Sequence, residues 1–232
     1  MADVYFHGIP LDNIAGARIT DITVGPVKQT ATVRARPIRG GADFVRIVSG
    51  ERTVTMTFVL LQDDMERRQQ DLGAVAGWLR TDTPQRLVLP GYPGRYLMGI
   101  CTEFPEPYLR QWWAELRAVW TCYDPYWYDM TEKSCACGTQ FTVGGSAPPE
   151  MRITHTLAEA ADLAYSDGTD TITLNDVPAG DLVIDLDRQT AAVDGVSVMT
   201  CYSFASTWII PHTGQTTITG SGTVHWRERW VG

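Results

Sequence analysis

The stretch from Trp112 to Tyr128, WWAELRAVWTCYDPYWY, limits most strongly what this chain can fold into. Trp112, Ala114, Leu116, Ala118, Trp120 and Cys122 fall on one side of a two-residue repeat. Trp113, Glu115, Arg117, Val119 and Thr121 fall on the other. That alternation describes a sheet strand covered on its apolar face. Pro125 has no N–H for a ladder, so the strand is expected to stop at Cys122-Tyr123-Asp124-Pro125. Tyr123, Tyr126, Trp127 and Tyr128 then crowd its exit. Nothing here is arranged for chemistry. The stretch reads as the end of one domain, with Trp120, Tyr123, Asp124, Pro125, Tyr126 and Trp127 forming an adhesive seam beside a linker.

Upstream, the pattern is β with a single helix. Strands are expected over Asp3–His7, Ala17–Val24, Thr30–Arg36, Phe44–Val48 and Thr53–Leu61. In the last of these, Val54, Met56, Phe58 and Leu60 alternate with threonines. The period then changes. Asp63 suits an N-cap, Glu66 lies three places on, and Met65, Leu72, Val75, Ala76 and Leu79 recur at helical spacing, giving a helix over 63–80. Gly73 and Gly77 would let it lie close to a sheet or a neighbouring chain. Thr81-Asp82-Thr83-Pro84 ends it. Strands resume at Arg86–Leu89, Arg95–Phe104 and Leu109–Cys122.

Gly138, Gly144, Gly145, Ser146, Pro148 and Pro149 mark a break, which places a domain boundary near residue 135. Beyond it come short strands: Gln140–Val143, Met151–Thr154, Thr171–Leu174, Leu182–Leu186, Ala191–Val193, Val196–Met199, Thr207–Ile210, Thr216–Thr219 and Val224–Trp230. Leu157–Ala164 allows at most two helical turns. Asp167-Gly168 and Asp194-Gly195 predict two-residue hairpins. Asn175-Asp176 and Gly220-Ser221-Gly222 mark further turns. The spacing suggests a jelly-roll β-sandwich. The fold class expected is mainly β: residues 1–134 a β-sandwich-like domain with one helix, residues 135–232 a second sandwich.

Hydrophobic residues make up 44% and charged residues 20%, as in ordinary folded chains. No apolar run approaches the roughly 20 residues that span a bilayer, and the start, MADVYFHGIPLDN, does not read as a secretory signal. Of the five cysteines, Cys101, Cys122 and Cys201 lie in strand-like sequence and are read as buried free thiols of a reducing compartment, and Cys135-Ala136-Cys137 lacks the partners of a metal site. No cofactor or metal is expected. Net charge is −8, unevenly placed. Gly25–Arg52 holds six bases against two acids, whereas the chain from Gly138 onward holds eleven acids against four bases. An acidic second half argues against wrapping nucleic acid. The basic stretch suits an acidic protein surface or solvent.

Four features in order resemble the distal tail (Dit) proteins of long, non-contractile-tailed bacteriophages. These are the strand Thr53–Leu61 feeding a helix that ends Gly77-Trp78-Leu79; the Cys122–Tyr128 stop; Gly180-Asp181-Leu182-Val183-Ile184-Asp185 followed by Asp194-Gly195; and Trp208-Ile209-Ile210-Pro211 with Gly214, before a closing strand with His225-Trp226-Arg227-Glu228-Arg229-Trp230. Cys135-Ala136-Cys137 and Ala158–Ala164 depart from that pattern. The resemblance implies an N-terminal ring-forming domain and a C-terminal galectin-like sandwich. It implies a homo-oligomeric, hexameric ring in the distal tail of the virion, assembled in the host cytoplasm. The ring would join the tail tube to the tip or baseplate and leave a channel for DNA. Its partners would be the tail tube protein, the tape measure protein and the tail-tip, tail-associated lysin or receptor-binding proteins, without a membrane.

A ring subunit must present two different surfaces to its neighbours. Gly25–Gly50, with Pro26, Pro37 and Gly40-Gly41, reads as a polar hairpin lying on an adjacent subunit, with Arg34, Arg36, Arg39 and Arg46 at the contact; an ordinary surface hairpin is the alternative. Trp112, Trp120 and Trp127 are read as core and seam. The alternative function is a carbohydrate-binding adhesin, with Trp113 or Trp208 as a stacking platform on an otherwise structural fold. Asp185 and Asp187 share a strand face and form a possible acid–base pair, yet no G-x-S-x-G, H-E-x-x-H or phosphate loop accompanies them. No enzyme activity is expected.

Overall fold

The computed structural model describes residues 4–14, 16–35, 42–61, 64–104, 108–109 and 113–232. The chain divides into two compact units, residues 1–127 and 128–231. The first holds β1 (Tyr5–Phe6), β2 (Ile9–Pro10), β3 (Ala17–Val24), β4 (Gln29–Ala35), β5 (Ala42–Ser49), β6 (Arg52–Leu61), helix α1 (Met65–Leu79), β7 (Gln85–Val88), β8 (Arg95–Glu103) and β9 (Tyr108–Leu109). Strand β10 (Trp113–Asp129) ends just past the division.

Strand β6 is the spine of the first unit. It pairs antiparallel with β3, from Ala17↔Leu60 to Val24↔Val54, and with β10, from Trp113↔Leu61 to Cys122↔Arg52. The expected alternation holds: Val54, Met56, Phe58 and Leu60 are buried beside Ala114, Leu116, Ala118, Trp120 and Cys122. Phe6, Trp78 and Trp120 meet edge to face with centroids 5.7–6.1 Å apart, an arrangement favoured by ring quadrupoles.

Strand β10 runs through Pro125 to Asp129 rather than stopping at Cys122. The ladder with β6 ends at Cys122↔Arg52, so Pro125 lies beyond the last pair and no β6 carbonyl asks for its missing N–H. The Asp124 carboxylate takes the next amide, accepting from Tyr126 N at 3.2 Å.

Helix α1 starts one turn position later than expected. Asp64 caps it, accepting from Glu66 N at 2.9 Å, while Asp63 lies outside the described residues. Its buried side comprises Arg68, Val75, Trp78 and Leu79; Met65 and Ala76, assigned to that side from spacing, are exposed. Gly73 and Gly77 face open space, so the glycine pair does not seat the helix on a sheet of this chain.

The second unit holds β11 (Lys133–Ala136), β12 (Gln140–Val143), β13 (Ala147–Leu157), β14 (Ala161–Ser166), β15 (Thr171–Val177), β16 (Gly180–Asp185), β17 (Thr190–Val193), β18 (Val196–Ser197), β19 (Gly214–Thr217) and β20 (Thr223–Trp230). β13 lies between β20 and β16; β11 flanks β20, and β17 and β18 extend beyond β16. The pairs β12–β19 and β14–β15 supply the other side of a core containing Phe141, Ile153, Tyr165, Ile172, Leu174, Ile184, Ile218, Val224 and Trp226. Phe141 stacks on Trp226 with centroids 4.3 Å apart. This is a sandwich.

Several local expectations change. Residues Leu157–Ala164 are not helical: Ala161–Ser166 is strand β14. Thr207–Ile210 forms no strand, although Thr207 N donates to Thr171 O at 2.9 Å. Asp194-Gly195 forms the two-residue turn, both residues at positive φ (49° and 79°). Asp167-Gly168 instead lies in a four-residue loop, because the Asp167 carboxylate caps the amides of Thr169 and Asp170, each at 2.8 Å. Asn175-Asp176 is a bulge within β15 rather than a turn between strands.

Candidate assembly interface

Strands β4 and β5 pair only with each other among the described residues. They continue the β3–β6 ladder. Val24 pairs with Val54 and Gln29 with Ser49, five residues further along both strands, so register carries through the neck without a slip. Short bonds clamp that neck: Gly25 N to Thr53 O (2.8 Å), Gly50 N to Lys28 O (2.7 Å) and Lys28 N to Glu51 O (3.0 Å). Lys28 and Glu51 add an exposed ion pair at 3.1 Å. A Cβ at Gly25 would stand 2.9 Å from Thr53 Oγ1 and 3.1 Å from Thr53 O, so a larger residue there would have to displace Thr53 slightly.

Beyond the neck every described side chain of the arm is exposed. Residues opposite one another share a face, and alternate pairs switch face. The pairs Ala31↔Ile47 and Val33↔Phe44 therefore share one face, and Thr32↔Arg46 and Arg34↔Asp43 share the other. The register shift between Thr32 and Val33 leaves Val45 as an extra residue, which brings Phe44 back to the side of Ile47. The result is a ribbon with Ala31, Val33, Phe44 and Ile47 on one face and Thr32, Arg34, Asp43 and Arg46, together with Val48, on the other. Val33 is 57% exposed, Phe44 63% and Ile47 54%. A lone two-stranded hairpin is marginal in water, and contiguous exposed apolar patches are where proteins commonly make contacts.

The stripe was not foreseen. Phe44 and Ile47 are three apart, which in a regular strand puts them on opposite faces; only the bulge unites them. The arm is thus apolar on one side rather than polar throughout. Arg34 and Arg46 lie on its polar side, and Arg34 sits opposite Asp43. Arg36 and Arg39 lie outside the described residues, as does Trp112.

The six aromatic-stop residues divide. Trp120 and Trp127 are buried, Trp127 stacking on Tyr92 with centroids 3.9 Å apart and the Arg52 guanidinium 5.8 Å from its ring. Pro125 is buried, Asp124 and Tyr126 are half-buried, and Tyr123 is exposed. In the second unit, the Tyr128 ring lies 4.8 Å from the Arg229 guanidinium, which also forms a two-pronged contact with Asp187 (3.1 and 2.9 Å).

That pairing bears on the carboxylates. Asp185 closes β16 and accepts from the amides of Asp187 and Arg188, at 3.0 and 2.9 Å. Asp187 lies past the strand in the following turn, so the two do not share a strand face as expected. Each has a structural role. Trp208 stacks on Tyr202 at 5.0 Å, which occupies one ring face, and Trp113 is half-buried. Cys135 and Cys137 are free and half-buried; Cys137 donates to Ser221 O at 3.5 Å. Burial raises both thiols above their ordinary range. Among the described residues no group of His, Cys, Asp and Glu could hold a metal ion.

No protein-family profile and no characterised protein matches the sequence. Solved structures do match. The Dit protein (gp 19.1) of phage SPP1, described as a paradigm of the hub adsorption apparatus in phages infecting Gram-positive bacteria, superposes with a TM-score of 0.79. That match covers 98% of each chain at 14% identity. A chain of the phage P2 baseplate, in its activated conformation with Ca, matches with a TM-score of 0.51. It covers 94% of this chain and 92% of that one at 10% identity. At these identities the comparison establishes a shared fold, and along its whole described length this chain has the fold of SPP1 Dit.

Proposed function

We propose that this protein is a structural component of a phage tail, a distal tail hub. Copies assemble into a ring, six by resemblance, that joins the tail tube to the tip or baseplate and leaves a central passage for DNA. The observation that carries the reading is the β4–β5 arm. It is rooted in the core of its own unit, projects an apolar stripe, and has no cover within the described residues. The whole-length likeness to a hub protein supports the same reading.

In this reading the arm of one subunit lies on the next, a head-to-tail contact that closes on itself as a ring. The stripe Val33, Phe44 and Ile47 supplies the apolar contact, while Arg34 and Arg46 point to its rim and set orientation. The first unit builds the ring, and the second is a galectin-like sandwich. Tail tube, tape measure and tip proteins are the neighbours expected above and below, in the distal tail of the virion. The work is mechanical and asks for no catalytic group.

Negative-stain electron microscopy of the purified protein tests this directly. Rings with a central hole are expected. Particles that stay monomeric at high concentration, and no copies in purified tail tips, would overturn it.

A further inference from the structure

A cavity of about 350 Å³ opens on the outer face of the sheet β20–β13–β16 in the second unit. Its floor is made of small side chains on neighbouring strands. Thr154 stands opposite Thr223 on one side and Val183 on the other; Thr156 stands opposite Asp181. Strand alternation turns these five outward, away from buried Ile153, Leu182 and Val224.

The polar groups are held in place. Thr156 donates its hydroxyl hydrogen to Asp181 Oδ1 at 2.7 Å. Thr154 Oγ1 bonds His225 Nε2 at 3.0 Å. The Asp181 backbone is fixed in turn, its N–H donating to Asp194 Oδ1 at 3.0 Å. With its only hydrogen committed to Asp181, Thr156 presents lone pairs alone. Asp181 adds its second carboxylate oxygen and a full negative charge. No Lys or Arg occurs between Arg152 and Arg188, and the Arg152 guanidinium is engaged by Glu132 at 2.9 Å.

The site is therefore rich in acceptors and carries one anion, and its lining, which includes His155, holds no Lys or Arg to receive a phosphate or carboxylate. The ligand it suits is a hydrogen-bond donor with positive charge. A primary ammonium offers three N–H bonds, and charge-assisted bonds to carboxylate are the stronger kind. The volume is at the low end of the roughly 300–1,000 Å³ typical of ligand pockets, enough for a single ring or a short chain. The 39%-exposed Val183 offers an apolar floor for that body.

The geometry points to a binding site for a primary ammonium group on a small body, such as an amino sugar or a lysine side chain. The nitrogen sits against Asp181 and Thr156, and the body lies over Val183 toward Thr154 and Thr223. The inference concerns the second unit alone and stands independently of ring assembly.

Saturation-transfer NMR on the full chain as purified tests it with four probes: glucosamine, Nα-acetyl-lysine amide, glucose and Nα-acetyl-norleucine amide. Both amines are expected to bind saturably with dissociation constants of about millimolar order, and their neutral counterparts about tenfold more weakly. Tighter binding of glucosamine than of the lysine amide assigns the body as a sugar, and the reverse order assigns it as a side chain. Asp181→Asn is expected to weaken the amines about tenfold. Val183→Lys places an internal ammonium over Asp181 and is expected to abolish their binding; it decides the matter if Asp181→Asn does not fold. Glucose binding as well as glucosamine, no saturable binding of either amine, or amine binding unchanged in the folded variants would each overturn the site.

Discussion

Removing the apolar stripe of the β4–β5 arm should uncouple assembly from folding. Phe44 and Ile47 are 63% and 54% exposed in the single chain. Fully burying such side chains is worth about 1.5–3 kcal/mol each. Covering the part still exposed is therefore worth about 2 kcal/mol for Phe44 and about 1 kcal/mol for Ile47. The double variant Phe44→Ser, Ile47→Ser then forfeits about 3 kcal/mol at each subunit contact, roughly a hundredfold in its association constant. Neither side chain contributes to the core, so thermal stability of the single chain should hold within about 0.5 kcal/mol. Sedimentation velocity across a concentration series, with native mass spectrometry, reads the oligomer; circular dichroism reads the fold. The comparison variant is Arg34→Ser, Arg46→Ser on the opposite face. Exposed charge pairs are worth up to about 1 kcal/mol and are screened by salt, so it should weaken the oligomer less, and less still in high salt. If the arginine pair dissociates the ring while the apolar pair leaves it whole, the assignment of faces is refuted.

Three further outcomes follow from the same structure. Glu228 accepts from Lys133 Nζ at 2.5 Å and Gly144 N at 3.0 Å. Burial pushes its carboxyl up, but these two donors outweigh burial and hold it below the ordinary carboxylate range. A depressed carboxylate stabilises the fold above its unfolded-state pKa, and that stability fades as pH falls through its folded-state pKa. Acid melting curves of the wild type should therefore lose a contribution that Glu228→Gln lacks, with the two converging at low pH. Gly222 has φ of +98°, and a Cβ there would lie 2.2 Å from Thr154 O; Gly222→Ala should cost about 2 kcal/mol or more in denaturant titrations. Burial raises the Cys122 thiol to about 12 and that of Cys101 to about 11. Ellman's reagent at pH 8 should thus reach Cys135 and Cys137 before Cys101 and leave Cys122 unmodified until the protein is unfolded.

The sequence disclosed those elements whose pattern is local. Thr53–Leu61 reads correctly because its alternation is unbroken, and Asp194-Gly195 because a two-residue turn with both φ positive has little other chemistry open to it. Asp167-Gly168 misled because an aspartate can also cap its own loop, and here it does. Pro125 misled because a missing donor matters only toward a strand that would accept from it, and the β6 ladder has ended at Cys122. The site followed the same logic. Gly25–Gly50 was legible as a projecting hairpin from its glycines, prolines and basic residues. Its apolar side was not, since the bulged Val45 that unites Phe44 with Ile47 is a property of pairing rather than of either strand alone.

The unbroken register through the neck has a mechanical corollary. Since β4 and β5 continue strands embedded in their own unit, an axial pull on the arm acts along the ladders of β3 and β6 rather than on a flexible joint. Such a load shears many hydrogen bonds together instead of opening them one after another. An annulus fastened this way would hand tension from subunit to subunit as a hoop does, with its stiffest members spanning its joints.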